Sequence, residues 1–277
     1  MTDLIKQTIG VAGCGTMGLP MAQQLLTAGY DVWGFDVRPR HEFGDFEKRM
    51  IIDADEFSNQ MDIVISVVRD HGQTHDLCFD VQGLFHSTNA PDTLIISSTL
   101  SPKIMPELRQ RLPHHTQLVD APMSGAPHRA RSGELTFMLG GSDYDISRLM
   151  PLFNVMGHTV HHLGGVGCGL SCKVANNFVA SASVAAVRHV LNTCKTLNLE
   201  PEALLEVMNS SSGGTWFGSS FNDIDWASEG YSPTNTMGIL EKDMLSFLDA
   251  INQDPDQANP LEKSILHTLR NLKPYSN

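Results

Sequence analysis

The sequence predicts an α/β fold in its first part and an all-helical fold in its second. Three observations carry this prediction. Over roughly the first 160 residues, short β-branched runs alternate with amphipathic segments. A glycine-rich turn follows the first such run and opens a helix. Beyond Gly169 the strand-like runs stop, and long helical patterns take over. Strands spaced by helical segments need crossover connections, which gives a mostly parallel sheet covered by helices.

"TIGVA" (Thr8 to Ala12) reads as a buried strand, Met17 to Ala28 as a helix ending at Gly29, and "DVWGFD" (Asp31 to Asp36) as the second strand. "DIVISVV" (62–68), "TLIISS" (93–98), "QLVDA" (117–121) and "LTFMLG" (135–140) continue the series, and "TVHHLG" (159–164) ends it. From Leu170 to about Leu197 runs one helical pattern rich in Ala, Ser and Val and free of proline. Pro201 opens another helix through Met208, and helices separated by Gly/Ser and Pro/Asp turns follow. The predicted domains are 1–165 and 166–277.

Composition narrows the function. With 31 acidic and 19 basic side chains the formal net charge is −12, which repels a phosphate backbone and argues against nucleic acid as a partner. The N-terminus lacks a basic segment followed by an apolar one, so no secretory signal is expected. The longest apolar-looking run, "FVASASVAAV" (178–187), contains two serines and is too short to span a bilayer, so no membrane association is expected. Five cysteines, at 14, 78, 168, 172 and 194, form no CxxC pair, which predicts free thiols in a reducing cytoplasm. Cys168 and Cys172, preceded by His161 and His162, lack the second ligand pair that a zinc site requires, and no metal is predicted.

The chemistry-bearing stretch nearest the N-terminus is "GVAGCGTMG". Gly13-x-Gly15-x-x-Gly18 follows a strand and opens a helix, and Asp36 ends the next strand 21 residues after Gly15. This is the dinucleotide-binding arrangement. Gly13 permits the turn, Gly15 lets backbone approach a pyrophosphate, and Gly18 lets helix pack on sheet. The helix N-terminus, at Thr16, Met17 and Gly18, supplies N–H groups and a positive dipole end. A carboxylate at Asp36 accepts from ribose hydroxyls and repels a 2′-phosphate, which favours NAD. Arg38 and Arg40, a few residues on, can instead hold that phosphate and keep NADP open.

Four separated motifs, "GVAGCGTMGLPMA", "DAPMSGAPHRARSGEL", "GVGCGLSCKVANN" and "EKDM", occur in order between residues 8 and about 250. In these the chain resembles the β-hydroxyacid dehydrogenases, the family of 3-hydroxyisobutyrate dehydrogenase and tartronate semialdehyde reductase, related to 6-phosphogluconate dehydrogenase. The resemblance implies a doubly wound Rossmann domain, a long connecting helix and a helical domain, with the active site in the cleft between. It implies Lys173 as general acid/base and Asn177 as the residue that orients substrate. Ser124 and Gly125 are implied to hold a substrate carboxylate, and Lys242, supported by Asp243, to lie near substrate and nicotinamide. Val68, Arg69 and Thr99 are implied to line the cofactor. Two positions depart from the family pattern. Ala126 stands where a second glycine is usual, and Asn235 stands seven residues ahead of Lys242 where a phenylalanine is usual; the latter bears on the substrate pocket.

The residue types suit the reaction. Oxidising an alcohol by hydride transfer requires loss of the hydroxyl proton, and a base serves best with its pKa near the working pH. Free lysine is too basic by ~3 units, and partial desolvation beside a cationic nicotinamide disfavours the ammonium. Lys173 and Asn177, at i and i+4 of one helical pattern, share a face. The glycines from Gly164 to Gly169 read as a flexible, side-chain-free junction between the domains. Trp216 and Phe217 are open to two readings, closing over substrate or packing between helices, and Arg129 and Arg131 to attraction of an anion or plain solvation. The small residues from Ala180 to Ala186 suit close helix approach, and the resemblance implies a homodimer or homotetramer.

The expected function is NAD-dependent interconversion of a small 3-hydroxy acid and its semialdehyde or 3-keto acid. Two other readings stand beside it: an NADP-dependent semialdehyde or imine reductase of the same superfamily, and a catalytically inert NAD-binding protein.

Overall fold

The computed structural model describes residues 6–86 and 89–275. It divides into two compact units, Met1–Lys173 and Val174–Asn277.

Strands of four or five β-branched and aliphatic residues, buried along almost their whole length, can only lie inside a sheet covered on both faces. β1 (Thr8–Ala12), β2 (Asp31–Phe35), β3 (Ile63–Ser66), β4 (Thr93–Ile96) and β5 (Gln117–Asp120) form that sheet, all parallel, in the order β2-β1-β3-β4-β5. The helices between them are α1 (Gly18–Thr27), α2 (Ala54–Gln60), α3 (His71–Cys78) and α4 (Ile104–Arg111). On one face Met21 and Leu25 of α1 pack with Ile9 and Ile65. On the other, Leu77 of α3 and Ile104 and Leu108 of α4 pack with Val64 and Leu94. This is a doubly wound arrangement. The chain leaves β1 toward one side and β3 toward the other, so the crevice at which such sheets bind ligands opens between their carboxyl ends.

The runs at 135–140 and 159–164 do not extend this sheet. With β6 (Met123–Ser124), β7 (Leu135–Leu139) and β8 (Gly157–His162) form a separate three-stranded sheet, in which β6 is antiparallel to β7 and β8 parallel to it. The isolated Asp120–Gly140 bridge joins the two sheets. The register of β7 on β8 shifts between Leu135 and Thr136. The two-residue strand β6 and a 3₁₀ stretch over Arg40–Arg49 had no periodicity to announce them; Gly44, at φ 53°, breaks the latter before it can become a longer helix. Two helices complete the first unit's wrapping, α5 (Pro127–Ser132) and α6 (Asp143–Met156).

α7 spans Cys168–Leu197. Its 30 residues, with an 18-residue window of mean hydropathy 1.2, are long and apolar enough to cross a bilayer, although the apolar run within it is short. Of that window 44% is buried inside the protein. Leu170 is buried in the first unit and Val184, Val187 and Leu191 in the second, and the helix also buries Lys173 and Arg188. α8 (Pro201–Asn209), α9 (Trp216–Ser219), α10 (Thr236–Ala250) and α11 (Pro260–Arg270) follow. Their inner faces join Phe217, Met237, Met244, Leu248 and Leu269 in the second unit's core.

Arg188 is the largest fully buried side chain described. Its guanidinium donates to the carbonyls of Ala227 (2.6 Å), Glu229 (2.8 Å) and Lys273 (2.5 Å), and so ties α7 to a turn and to the C-terminal tail. Burial lowers its pKa, and Nε is left without a partner. Arg188→Met keeps the stem and removes the charge, so relief of desolvation partly offsets three lost charge-assisted bonds. A net loss of about 2 kcal/mol in urea unfolding is expected, with no change in cofactor affinity.

Candidate active site

The glycine loop has the geometry its sequence implies. Gly13, at φ 92°, turns directly after β1 and donates to the Phe35 carbonyl at 2.8 Å. A Cβ on Gly18 would stand 2.1 Å from the Gly13 carbonyl oxygen, so only glycine lets α1 sit this close to the strand end. Gly15 is different: a Cβ there would meet no atom within 4 Å. Open space above a helix N-terminus, with a glycine facing it, fits a pyrophosphate approaching the backbone. These positions separate experimentally. Gly15→Ala is expected to leave the thermal midpoint unchanged while weakening NAD(H) binding at least ~10-fold by fluorescence titration. Gly18→Ala is expected to lower the midpoint as well, because its methyl group collides with backbone.

Asp36, just past β2, does not present a bare carboxylate. Arg38 donates to it from Nε (3.0 Å), Nη2 (3.1 Å) and its backbone N–H (3.1 Å), and Nη2 also donates to the Cys14 carbonyl at 2.9 Å. The guanidinium lies over the Phe43 ring at 4.7 Å. A carboxylate for ribose hydroxyls and a cation for a 2′-phosphate therefore stand together beside the loop. The thiol of Cys14 is buried, and burial together with the Asp36 charge pushes it up to about 12, so it stays protonated.

Val68 and Arg69 follow β3 and Thr99 follows β4, at the same carboxyl edge of the sheet. Two bonds shape this edge. Ser98 Oγ donates to the Val68 carbonyl at 2.5 Å, and the Arg69 N–H donates to Gln73 Oε1 at 2.9 Å. Asp70 caps α3 by accepting from the Gln73 N–H. Ser124 pairs with Thr136 across the small sheet, and Gly125 follows at φ 141° with the Leu135 side chain against its α-carbon. Ala126 then serves as the residue before the proline that opens α5, a position that makes no demand for glycine. Arg129 and Arg131 lie on α5, both exposed.

The junction before α7 is held fast. Asp120, fully buried at the end of β5, accepts from the Gly167 N–H at 2.6 Å through Oδ1 and from the Leu170 N–H at 2.7 Å through Oδ2. It thereby satisfies amides that the first turn of a helix leaves unpaired. A Cβ on Gly169 would lie 2.2 Å from the Met138 carbonyl oxygen and 2.9 Å from Asp120 Oδ2. Gly169 thus lets backbone pack on backbone around a buried carboxylate, whereas a Cβ on Gly165 would meet no atom within 4 Å. Burial pushes the Asp120 carboxyl up to about 6, opposed by the amide bonds. One turn beyond the first residues of α7 comes Lys173, with only 6% of its surface exposed.

The second unit gathers its own polar group. Asn177 Nδ2 donates to Asp243 Oδ2 at 2.6 Å, and the Lys242 ammonium lies 3.0 Å from Asp243 Oδ1, close enough for an ion pair but off the angle of a hydrogen bond. Asp243 is buried, so its charge is meaningful only because these partners face it. Asn235 proves to be the N-cap of α10: its side-chain oxygen accepts from Met237 and Gly238, and its amide donates to the Gly230 carbonyl. Its departure from the family pattern therefore has a local structural reason. Phe217 is fully buried and stacks on Trp226, which identifies it as packing, while Trp216 is 55% exposed.

Asp120 is the residue that motif reading passed over. It is the first letter of "DAPMSGA", but its partners lie 47 and 50 residues away, and no local pattern announces such a pairing.

Two family models match the chain in succession. The NAD binding domain of 6-phosphogluconate dehydrogenase matches residues 8–164, and the NAD-binding domain of NADP-dependent 3-hydroxyisobutyrate dehydrogenase matches residues 167–260. The chain is 31% identical over 255 residues to 3-hydroxyisobutyrate dehydrogenase of Pseudomonas aeruginosa, covering 88% of this chain and 83% of that one. It is 30% identical over 250 residues to L-threonate dehydrogenase of Cupriavidus necator, covering 88% and 84%. Among solved structures it shares the fold of 3-hydroxyisobutyrate dehydrogenase from Mycobacterium tuberculosis, with a TM-score of 0.79, 24% identity and 96% of both chains covered. The chain belongs to the β-hydroxyacid dehydrogenase family and is an oxidoreductase dependent on a nicotinamide cofactor.

Proposed function

We propose that the protein interconverts a small 3-hydroxy acid and its semialdehyde or 3-keto acid with NAD, using Lys173 as general acid/base. The observation that carries this reading is a buried lysine on a helix whose start is fixed by Asp120, in a chain that bears the glycine loop. Gly13, Gly15, Thr16, Met17 and Gly18 would hold the pyrophosphate, Asp36 the ribose, and Val68, Arg69 and Thr99 the nicotinamide end. When bound, the cofactor accepts or returns a hydride.

The chain's own residues do the remaining work. Lys173 takes the hydroxyl proton during oxidation and returns it during reduction. Ser124, through its hydroxyl, and Gly125, through its N–H, hold the substrate carboxylate. Asn177 orients a polar substrate group, and the bond from its Nδ2 to Asp243 fixes its amide, so that the side-chain oxygen is the acceptor it can present. Lys242, steadied by Asp243, supplies a cation for the anionic substrate. NAD is proposed over NADP because Arg38 is already engaged by Asp36 and the Cys14 carbonyl.

A panel of 3-hydroxy acids and semialdehydes, assayed with NAD(H) and NADP(H), tests the reading. Turnover of at least one panel member with kcat/KM at least ~10-fold higher for NAD(H) is the expected result. Binding of NADH without turnover of any would support the inert reading, and preference for NADP(H) would overturn the cofactor assignment.

A further inference from the structure

Away from Cys168 and Cys172, the structure gathers another cluster of metal-ligating side chains. His71 and His75, one turn apart, lie on α3, and Glu107 lies in the first turn of α4. One ligand atom from each can be chosen so that all three fall within 4.8 Å of one another. Glu107 Oε2 is 3.2 Å from His71 Nε2 and 3.4 Å from His75 Nε2. The two rings stack at 4.6 Å with 18° between their planes, which turns both Nε2 atoms toward the same carboxylate.

We propose that His71, His75 and Glu107 form a binding site for a divalent late first-row transition ion of the Zn²⁺ class. The spacing supports it. Bonds of 2.0–2.1 Å to a tetrahedral zinc ion place neighbouring ligand atoms about 3.3 Å apart, the separation found on both His–Glu edges. Two imidazoles and a carboxylate form a donor set suited to zinc, nickel or copper and poorly suited to calcium or magnesium. Glu107 and His71 are half-exposed, which leaves the fourth position to water. As plain surface ion pairs these contacts would be worth ~0–1 kcal/mol and would exert little hold on the geometry.

The site also has a built-in competitor. Arg111 Nη1 lies 3.3 Å from His75 Nδ1, while Nη2 donates to Asp80 at 2.8 Å and the guanidinium covers the Phe79 ring at 4.2 Å. Ligation through Nε2 puts the ring proton on Nδ1, where it faces this donor. Ion binding therefore displaces Arg111 from the ring, and Asp80 and Phe79 still hold it. The ion would bridge α3 and α4 directly after the loops that carry Val68, Arg69 and Thr99.

Cobalt(II) titration of tag-free, chelator-treated protein is the test, read by the visible absorption of tetrahedral Co²⁺. One ion per chain at micromolar concentration, displaced by Zn²⁺, is expected. His71→Ala and His75→Ala should each weaken binding at least ~10-fold, and Arg111→Met should tighten it ~3-fold or more. Unchanged thermal midpoints without metal show that the variants fold. Failure of the wild type to take up Co²⁺, or Co²⁺ uptake unaffected by His75→Ala, would overturn the proposal.

Discussion

Replacing Lys173 with alanine is expected to lower kcat by ~100-fold or more while NAD(H) affinity stays within a few-fold. A positioned acid or base contributes typically 10²- to 10⁴-fold, and that contribution is made only as the proton moves, so the loss falls on kcat and not on cofactor binding. Lys173 is separated in sequence from the glycine loop that would hold the dinucleotide. Its side chain is also buried, so truncation leaves a small void and some loss of stability. A thermal midpoint that remains well above the assay temperature separates this loss from the catalytic one. Steady-state kinetics with the best substrate from the panel, with NADH binding measured in parallel, decides the matter. If kcat is unchanged, the base is elsewhere and the role assigned to Lys173 is wrong.

The parts of the molecule legible in its sequence are those encoded by local repetition. Runs such as "DIVISVV" and "TLIISS" state their burial directly, because a strand covered on both faces must be apolar at consecutive positions. The glycine loop was equally legible: Gly18 answers a contact with Gly13, Gly13 one with Val67 just past the neighbouring strand β3, and Gly15 faces open space. Harder to read was anything decided by partners far along the chain. The runs at 135 and 159 look like further strands of the main sheet, yet they belong to a second one. Nothing in their own residues records that Gly140 meets Asp120 where a side chain could not fit. The glycine run leading into α7 reads as looseness for the same reason, although Gly169, in the first turn of α7, is a contact surface against Met138 and Asp120. By its family position Asn235 bears on the substrate pocket; the structure shows a helix cap, set by amides two and three residues on. The residues of "KVANN" and "EKDM" were legible as motifs, but the Asn177–Asp243 bond that links them spans 66 positions.

Asp120 yields the second large effect, one of pH. Its carboxyl rests at about 6 against an ordinary 3.8, because burial disfavours its charge more strongly than the Gly167, Leu170 and Gly169 amides favour it. The sign follows from linkage. A group whose folded-state pKa is raised contributes stability that is fully present below about pH 3.8 and is lost as pH rises through about 6. The gap is worth about 3 kcal/mol. Asp120→Asn cannot ionise, so the stability of wild type relative to this variant is expected to fall by about 3 kcal/mol between pH 4 and pH 8. Urea unfolding of both proteins across that range measures it. A difference that rises with pH would mean that the amide bonds outweigh burial. At working pH the ionised carboxylate is the form that accepts from both amides at the start of α7, three residues ahead of Lys173 at its nearer contact. The asparagine side chain offers one acceptor and turns an N–H toward the other amide, where two donors repel. The variant should therefore gain relative stability toward alkaline pH and yet lose kcat there, a separation that a residue serving the fold alone would not produce.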